Sequence, residues 1–149
     1  MQPSTLTIEV TENILIEDHG RAITILHELK TLGVRLALDD FGTGFSSLNY
    51  LRRLPIDAIK IDRAFITDLD TGPDGQAIVA AVTNLAHQLG LTVTAEGVET
   101  QHQADTITTL GCDSSQGYYY AKPMPAAALS AEFATRPTGP LHLPARLAS

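Results

Sequence analysis

Residues 36–48 read LALDDFGTGFSSL, and the reading of this stretch decides the fold. Leu36, Ala37 and Leu38 continue an apolar run of the kind found in strands buried on both faces. Asp39 and Asp40 then stop it with two like charges, and Gly42 and Gly44 let the chain bend sharply and move just after them. Adjacent carboxylates repel, and desolvating them without a partner is costly. A cation or water must therefore face the end of this strand.

Outward from there, two periods alternate. Strand-like runs fall at TLTIEV (5–10), VRLALD (34–39), DAIKID (57–62) and LTVTAE (91–96), with a last short one between Cys112 and Gly117. Helical spacing places Ile23, Leu26, Leu29 and Leu32 on one face of a helix over 18–32, which Gly33 stops. Ile78, Val82, Leu85 and Leu89 do the same over 75–90, which ends at Gly90. Shorter helices are predicted at 46–54, where a serine cap starts the helix and Pro55 ends it, at 100–111 and near 126–134. From 135 the segment TRPTGPLHLPARLAS is rich in proline and small residues and reads as a mobile tail, leaving one domain over 4–134.

Strand and helix alternating in this way imply an α/β fold with parallel strands and right-handed crossovers, either an open doubly wound sheet or a (β/α)₈ barrel. The strand ends separate the two. Glu9, Asp39 with Asp40, Lys60, Glu96 and Gln116 all stand at or near C-terminal strand ends. In a barrel those ends converge on one face, whereas in an open sheet they spread along a line. Convergence gives the set a chemical purpose, so the barrel is the expected architecture.

Converging carboxylates cannot all ionise unless cations compensate them. Oxygen-only ligands select hard ions such as Mg²⁺, Mn²⁺ or Ca²⁺, and adjacent aspartates at a strand end suit a two-metal site in which one bridges both ions. The histidines at 19, 27, 87, 102 and 142 are scattered and no C-x-x-C occurs, which disfavours zinc. Lys60 lies inside a buried-type strand, where a lysine without a role is costly. The glycine-rich FGTGFSS lacks the G-K-[ST] of a P-loop.

Composition bounds the partners. A formal charge of −7 offers no basic stripe for a DNA or RNA backbone. Cys112 is the single cysteine, so no internal disulfide can form, and a reducing, cytoplasmic setting is expected. The N-terminal residues do not read as a signal peptide, and apolar runs such as AIVAAV (77–82) are far too short to span a bilayer.

Taken together, IEVTE (8–12), DDFGTGFSSL (39–48), IKIDRAFI (59–66), TAEGVET (94–100) and QGYYYAKPM (116–124) resemble the EAL domain, in order and with family-like spacings. That family hydrolyses cyclic di-GMP to linear pGpG with two metal ions. The resemblance implies Mg²⁺ or Mn²⁺ as cofactor. It implies Glu9, Asp39, Asp40, Glu96 and Gln116 as metal-site residues, with Asp39 bridging and Gln116 ordering water. It further implies Lys60 and Glu96 as catalytic, Lys60 holding the attacking water. Glu12 and Glu99 resemble glutamates that brace the loop after Asp40, in which Gly42 and Gly44 act as hinges. Tyr118 to Tyr120 offer faces either to a guanine or, as aromatics more often do, to the core.

The Glu-Ala-Leu tripeptide that names the family is absent, and with it go a metal carboxylate, a phosphate-gripping arginine and a later asparagine ligand. A whole barrel takes roughly 250 residues. The expectation is a C-terminal portion, about five β/α units of an incomplete TIM-like barrel, weak or inactive in hydrolysis by itself. The alternative is a non-catalytic remnant that binds cyclic di-GMP or a protein. An incomplete barrel would expose strand edges and inward-facing apolar side chains, which predicts self-association or pairing with a missing N-terminal segment.

Overall fold

The computed structural model describes residues 2–11, 19–42, 51–70 and 72–135. Its strands are β1 (Thr7–Thr11), β2 (Arg35–Phe41), β3 (Ala58–Ile61), β4 (Thr92–Ala95) and β5 (Ser114–Ser115). Its α-helices are α1 (His19–Thr31), α2 (Arg63–Thr67), α3 (Pro73–Gln88), α4 (Gln101–Thr109) and α5 (Ala126–Thr135). Most of the helix predicted at 46–54, Gly44, Glu12 and all of the tail from 136 lie outside the described residues.

The strands form one sheet in the order β1-β2-β3-β4-β5, and every neighbouring pair is parallel. A doubly wound sheet reverses its order at a switch point. Here the order follows the chain throughout, as in the wall of a barrel. The C-terminal ends of all the described strands therefore lie along one edge.

One face of this wall carries the core. Leu36, Leu38, Ile59, Ile61 and Val93 are buried against helices that contribute Ile66, Val79 and Ile107. Each such side chain contributes about 1.5–3 kcal/mol through removal from water. The opposite face follows the other phase of the alternation. Its rungs run Thr7 to Arg35, Glu9 to Ala37 to Ala58, and Lys60 to Thr94 to Ser114. The inward face of the described wall is thus small or polar, and the expectation of stranded apolar side chains there is not met.

Several local expectations shift. Leu32 is 63% exposed, because α1 ends at Thr31 and Leu32 lies in the turn to Gly33, which takes a positive φ. On α3 the buried positions are Gly75, Val79, Thr83 and Ala86, while Ile78 is 41% exposed. Close packing explains the preference for small residues. A Cβ at position 75 would lie 2.7 Å from the Asp68 backbone, so a larger residue cannot face the neighbouring turn. The run after IKID, read as loop, forms α2 and a 3-10 turn at Asp68–Asp70, with the Asp62 carboxylate accepting from Ala64 N at 2.9 Å as an N-cap. The strand expected over 112–117 contracts to Ser114–Ser115.

Candidate active site

The DD pair owes its position to an irregularity in β2. Leu38 pairs with Ile59, but Ile61 pairs with Phe41, so three residues on β2 match two on β3. Paired residues of parallel strands share a face, so Leu38 and Phe41 both point into the core and Asp39 and Asp40 lie between them. Such a bulge re-aims side chains at a strand end. Asp40 supplies the backbone turn, with φ +55°, a left-handed conformation that aspartate tolerates better than most residues. Gly42 follows at φ +98°, and a Cβ there would come within 2.8 Å of the Phe65 ring.

Lys60 extends from β3 into the midst of three carboxylates. Its Nζ lies 2.7 Å from Glu9 Oε2, 3.1 Å from Asp39 Oδ1 and 2.6 Å from Glu96 Oε1. These groups come from four consecutive strand ends, which the sequential sheet brings together. The lysine side chain is 9% exposed, while Glu9 on the outer strand β1 is half-exposed. Gln116 joins through its amide, with Nε2 donating to Glu96 Oε1 at 2.6 Å.

Electrostatics follow from this geometry. Burial alone would lower the Lys60 pKa, but hydrogen bonds to Glu9, Glu96 and Asp39 outweigh it and hold the ammonium well above its ordinary value. Lys60 therefore stays charged and acts as a cation rather than a base. Glu96 is pushed above the usual carboxylate value, first by burial and then by the charges of Asp39 and Glu9, with Lys60 pulling the other way. One ammonium facing three carboxylates leaves the cluster with an excess of negative charge.

The donor set is all oxygen, which suits a hard divalent ion. Asp39 Oδ1 is buried and, despite its nearness to Lys60, receives no well-directed hydrogen bond. Yet among the described residues no three acidic, histidine or cysteine side chains converge on a common point for an ion. The place between the carboxylates is held by Lys60. As arranged, these residues do not fit a divalent metal, although the chemistry of their oxygens does.

Of the other candidate residues, Glu99 pairs with Arg63 at 2.8 Å, and the loop it resembles a brace for lies outside the described residues beyond Gly42. Beside the cluster opens a cavity of about 570 Å³ lined by Glu96, Gln116, Arg63, Tyr118, Lys122 and Met124. Lys122 Nζ sits 5.9 Å from the Tyr118 ring centre. Tyr118 is exposed, whereas Tyr119 and Tyr120 pack on the core edge to face, so the tyrosine run divides between the two uses. Arg63 and Lys122 escape a sequence reading because neither ends a strand. Their only signal is that they directly follow IKID and YYYA.

A parallel β/α wall with acidic groups gathered at its strand ends belongs to the barrel class of α/β proteins. The sequence profile of the EAL domain matches residues 1–123, and the chain belongs to the EAL domain family. It is similar to the bifunctional diguanylate cyclase/cyclic di-GMP phosphodiesterase MucR of Pseudomonas aeruginosa, 47% identical over 134 residues, which cover 90% of this chain and 20% of that protein. Among solved structures it resembles the PaMucR phosphodiesterase in complex with c-di-GMP, with a TM-score of 0.82 and 47% identity over 87% of this chain and 52% of that one. The manganese/cy-diGMP complex of Klebsiella pneumoniae BlrP1 is also similar, with a TM-score of 0.77 and 37% identity over 83% of this chain and 31% of that one. The fold is therefore part of a TIM-barrel-like EAL domain. The chain spans about half of the solved PaMucR chain and a fifth of the curated MucR protein. Among the described residues no helix is long and apolar enough to cross a membrane.

Proposed function

We propose that this chain is the C-terminal portion of a cyclic di-GMP phosphodiesterase and that it supplies one wall of the active site. The observation that carries this reading is the gathering of Glu9, Asp39, Lys60 and Glu96 at neighbouring strand ends, each at the position the family motif assigns. In this reading the Lys60 ammonium holds the attacking water or a phosphoryl oxygen, since it is permanently charged and largely shielded from solvent. Glu96, with its raised pKa, is the group best placed to take or return a proton. Asp40 and Gln116 belong to the same site, Glu12 and Glu99 support the loop after Asp40, and Gly42 and Gly44 hinge it. Mg²⁺ or Mn²⁺ is the proposed cofactor of the intact barrel, and the setting is cytoplasmic.

By itself the chain is expected to hydrolyse little or no cyclic di-GMP, because the E-A-L segment with its ligand and arginine is not in the sequence. The occupation of the carboxylate cluster by Lys60 favours a second reading, a module that binds cyclic di-GMP or a protein without turnover. Calorimetry with cyclic di-GMP, followed by chromatography of the products with Mg²⁺ or Mn²⁺ present, separates the two. Turnover by this chain at about 1 per second or faster would refute the inactive reading. Neither binding nor turnover, alone or with the missing segment added, would refute the phosphodiesterase reading.

A further inference from the structure

We propose that Lys60 is the resident cation of the carboxylate cluster, so that its ammonium and a divalent metal are alternatives for the same place. An ammonium carries three donors, and three carboxylate oxygens from three different strands surround this one. Their spacing is that of hydrogen bonds, 2.6–3.1 Å from nitrogen. A magnesium ion needs its oxygens at about 2.1 Å and in octahedral array. The cage is therefore sized for nitrogen, and closing it on a metal requires the ammonium to leave and the oxygens to move inward.

Displacement is resisted from two sides. Lys60 belongs to the central strand, flanked by the buried Ile59 and Ile61, so its backbone cannot retreat. Glu96 Oε1 is also tied by Gln116, which fixes the closest of the three contacts. Asp39 Oδ1 has the longest contact and the poorest alignment, and is the oxygen most ready to exchange the ammonium for another cation. The inference relies on the family reading only for the choice of competing ion.

The experiment compares the chain with its Lys60→Met variant, titrating Mn²⁺ by calorimetry and following thermal unfolding with and without the metal. The variant should bind Mn²⁺ at least roughly tenfold more tightly than the parent, and Mn²⁺ should raise its Tm more. Without metal its Tm should lie below the parent's, because three carboxylates are left without a cation. Equal or weaker Mn²⁺ binding by the variant would overturn the proposal. If the variant does not fold, the parent labelled with ¹⁵N at lysine decides. A protected Lys60 ammonium resonance that persists to about 1 mM Mg²⁺ supports the proposal, and metal binding that leaves this resonance in place overturns it. Hydrolysis of cyclic di-GMP is not among these readouts. Its failure would count against the phosphodiesterase reading and leave the competition intact.

Discussion

Asp57 and Asp113 hold two different strand pairs in the same way. Asp57, just before β3, accepts from Leu36 N of β2 at 2.8 Å and pairs with Lys30 of α1 at 2.7 Å. Asp113, just before β5, accepts from Val93 N of β4 at 2.7 Å and meets His87 of α3 at 2.9 Å. Each carboxylate ties a strand to its neighbour and to a helix at the end of the wall away from Lys60.

Both carboxyls titrate below the ordinary value. Asp57 is lowered although burial opposes the shift, because the Lys30 and Leu36 hydrogen bonds outweigh it, and Asp113 is lowered chiefly by His87 and then Val93 N. A carboxyl with a depressed native pKa contributes stability that is fully present above its unfolded value, about 3.9, and lost as pH falls through the native one. Stability should therefore decline as pH drops below about 4. A double variant, Asp57→Asn with Asp113→Asn, should be less stable at pH 7 yet lose less on acidification. Thermal melts taken at intervals from neutral to acid pH check the slope.

Gly42→Ala should destabilise the chain by about 1–3 kcal/mol, since alanine must adopt a left-handed φ and its Cβ meets Phe65 at 2.8 Å. Adding Phe65→Leu should recover only the steric part. Urea unfolding of the single and double variants separates strain from clash.

Gly117→Ala should cost a similar amount, about 1–3 kcal/mol, and also disturb the site. A Cβ there would fall 2.1 Å from Val98 O, while Val98 N bonds to Gln116 O at 3.1 Å. Separating these segments moves Gln116 and with it the amide that holds Glu96. The change should weaken cyclic di-GMP binding where any is measured, and calorimetry beside chemical unfolding tests both effects.

β1 pairs only with β2 among the described strands, so its outer side offers unsatisfied backbone groups to another strand. We expect self-association at micromolar concentration, suppressed by a peptide carrying the N-terminal part of an EAL domain. Because the inward face is small and polar, the contact should run along the strand edge rather than across the wall. Sedimentation that gives a monomer with a single cooperative unfolding transition would remove this expectation.

Much of this was legible in the sequence, and the exceptions have physical causes. Alternating periods and acidic strand ends sufficed for the parallel wall and for the cluster, because Glu9, Asp39, Lys60 and Glu96 each break an apolar strand pattern. The bulge was hidden, since it is a mismatch between β2 and β3 and no single segment records it. Leu32 and Ile78 misled because hydrophobicity marks what can be buried, while Gly75 and Thr83 show that proximity decides what is. The cation itself was misassigned to solution metal in the first argument from DD. Lys60 stands on another strand, and only the fold shows it reaching Asp39.

The sequential order of the sheet also sets the order in which the cluster comes apart. When each unit touches only its neighbours along the chain, opening proceeds from the margins, as in a repeat array, and the middle strand is released last. Amide protons of β3 should then exchange most slowly and those of β1 and β5 fastest. Lys60 rides on the most persistent strand and Glu9 on one of the least. Brief native-state fluctuations would detach Glu9 first, so that the ammonium stays anchored between Asp39 and Glu96 while one side of its cage opens to solvent.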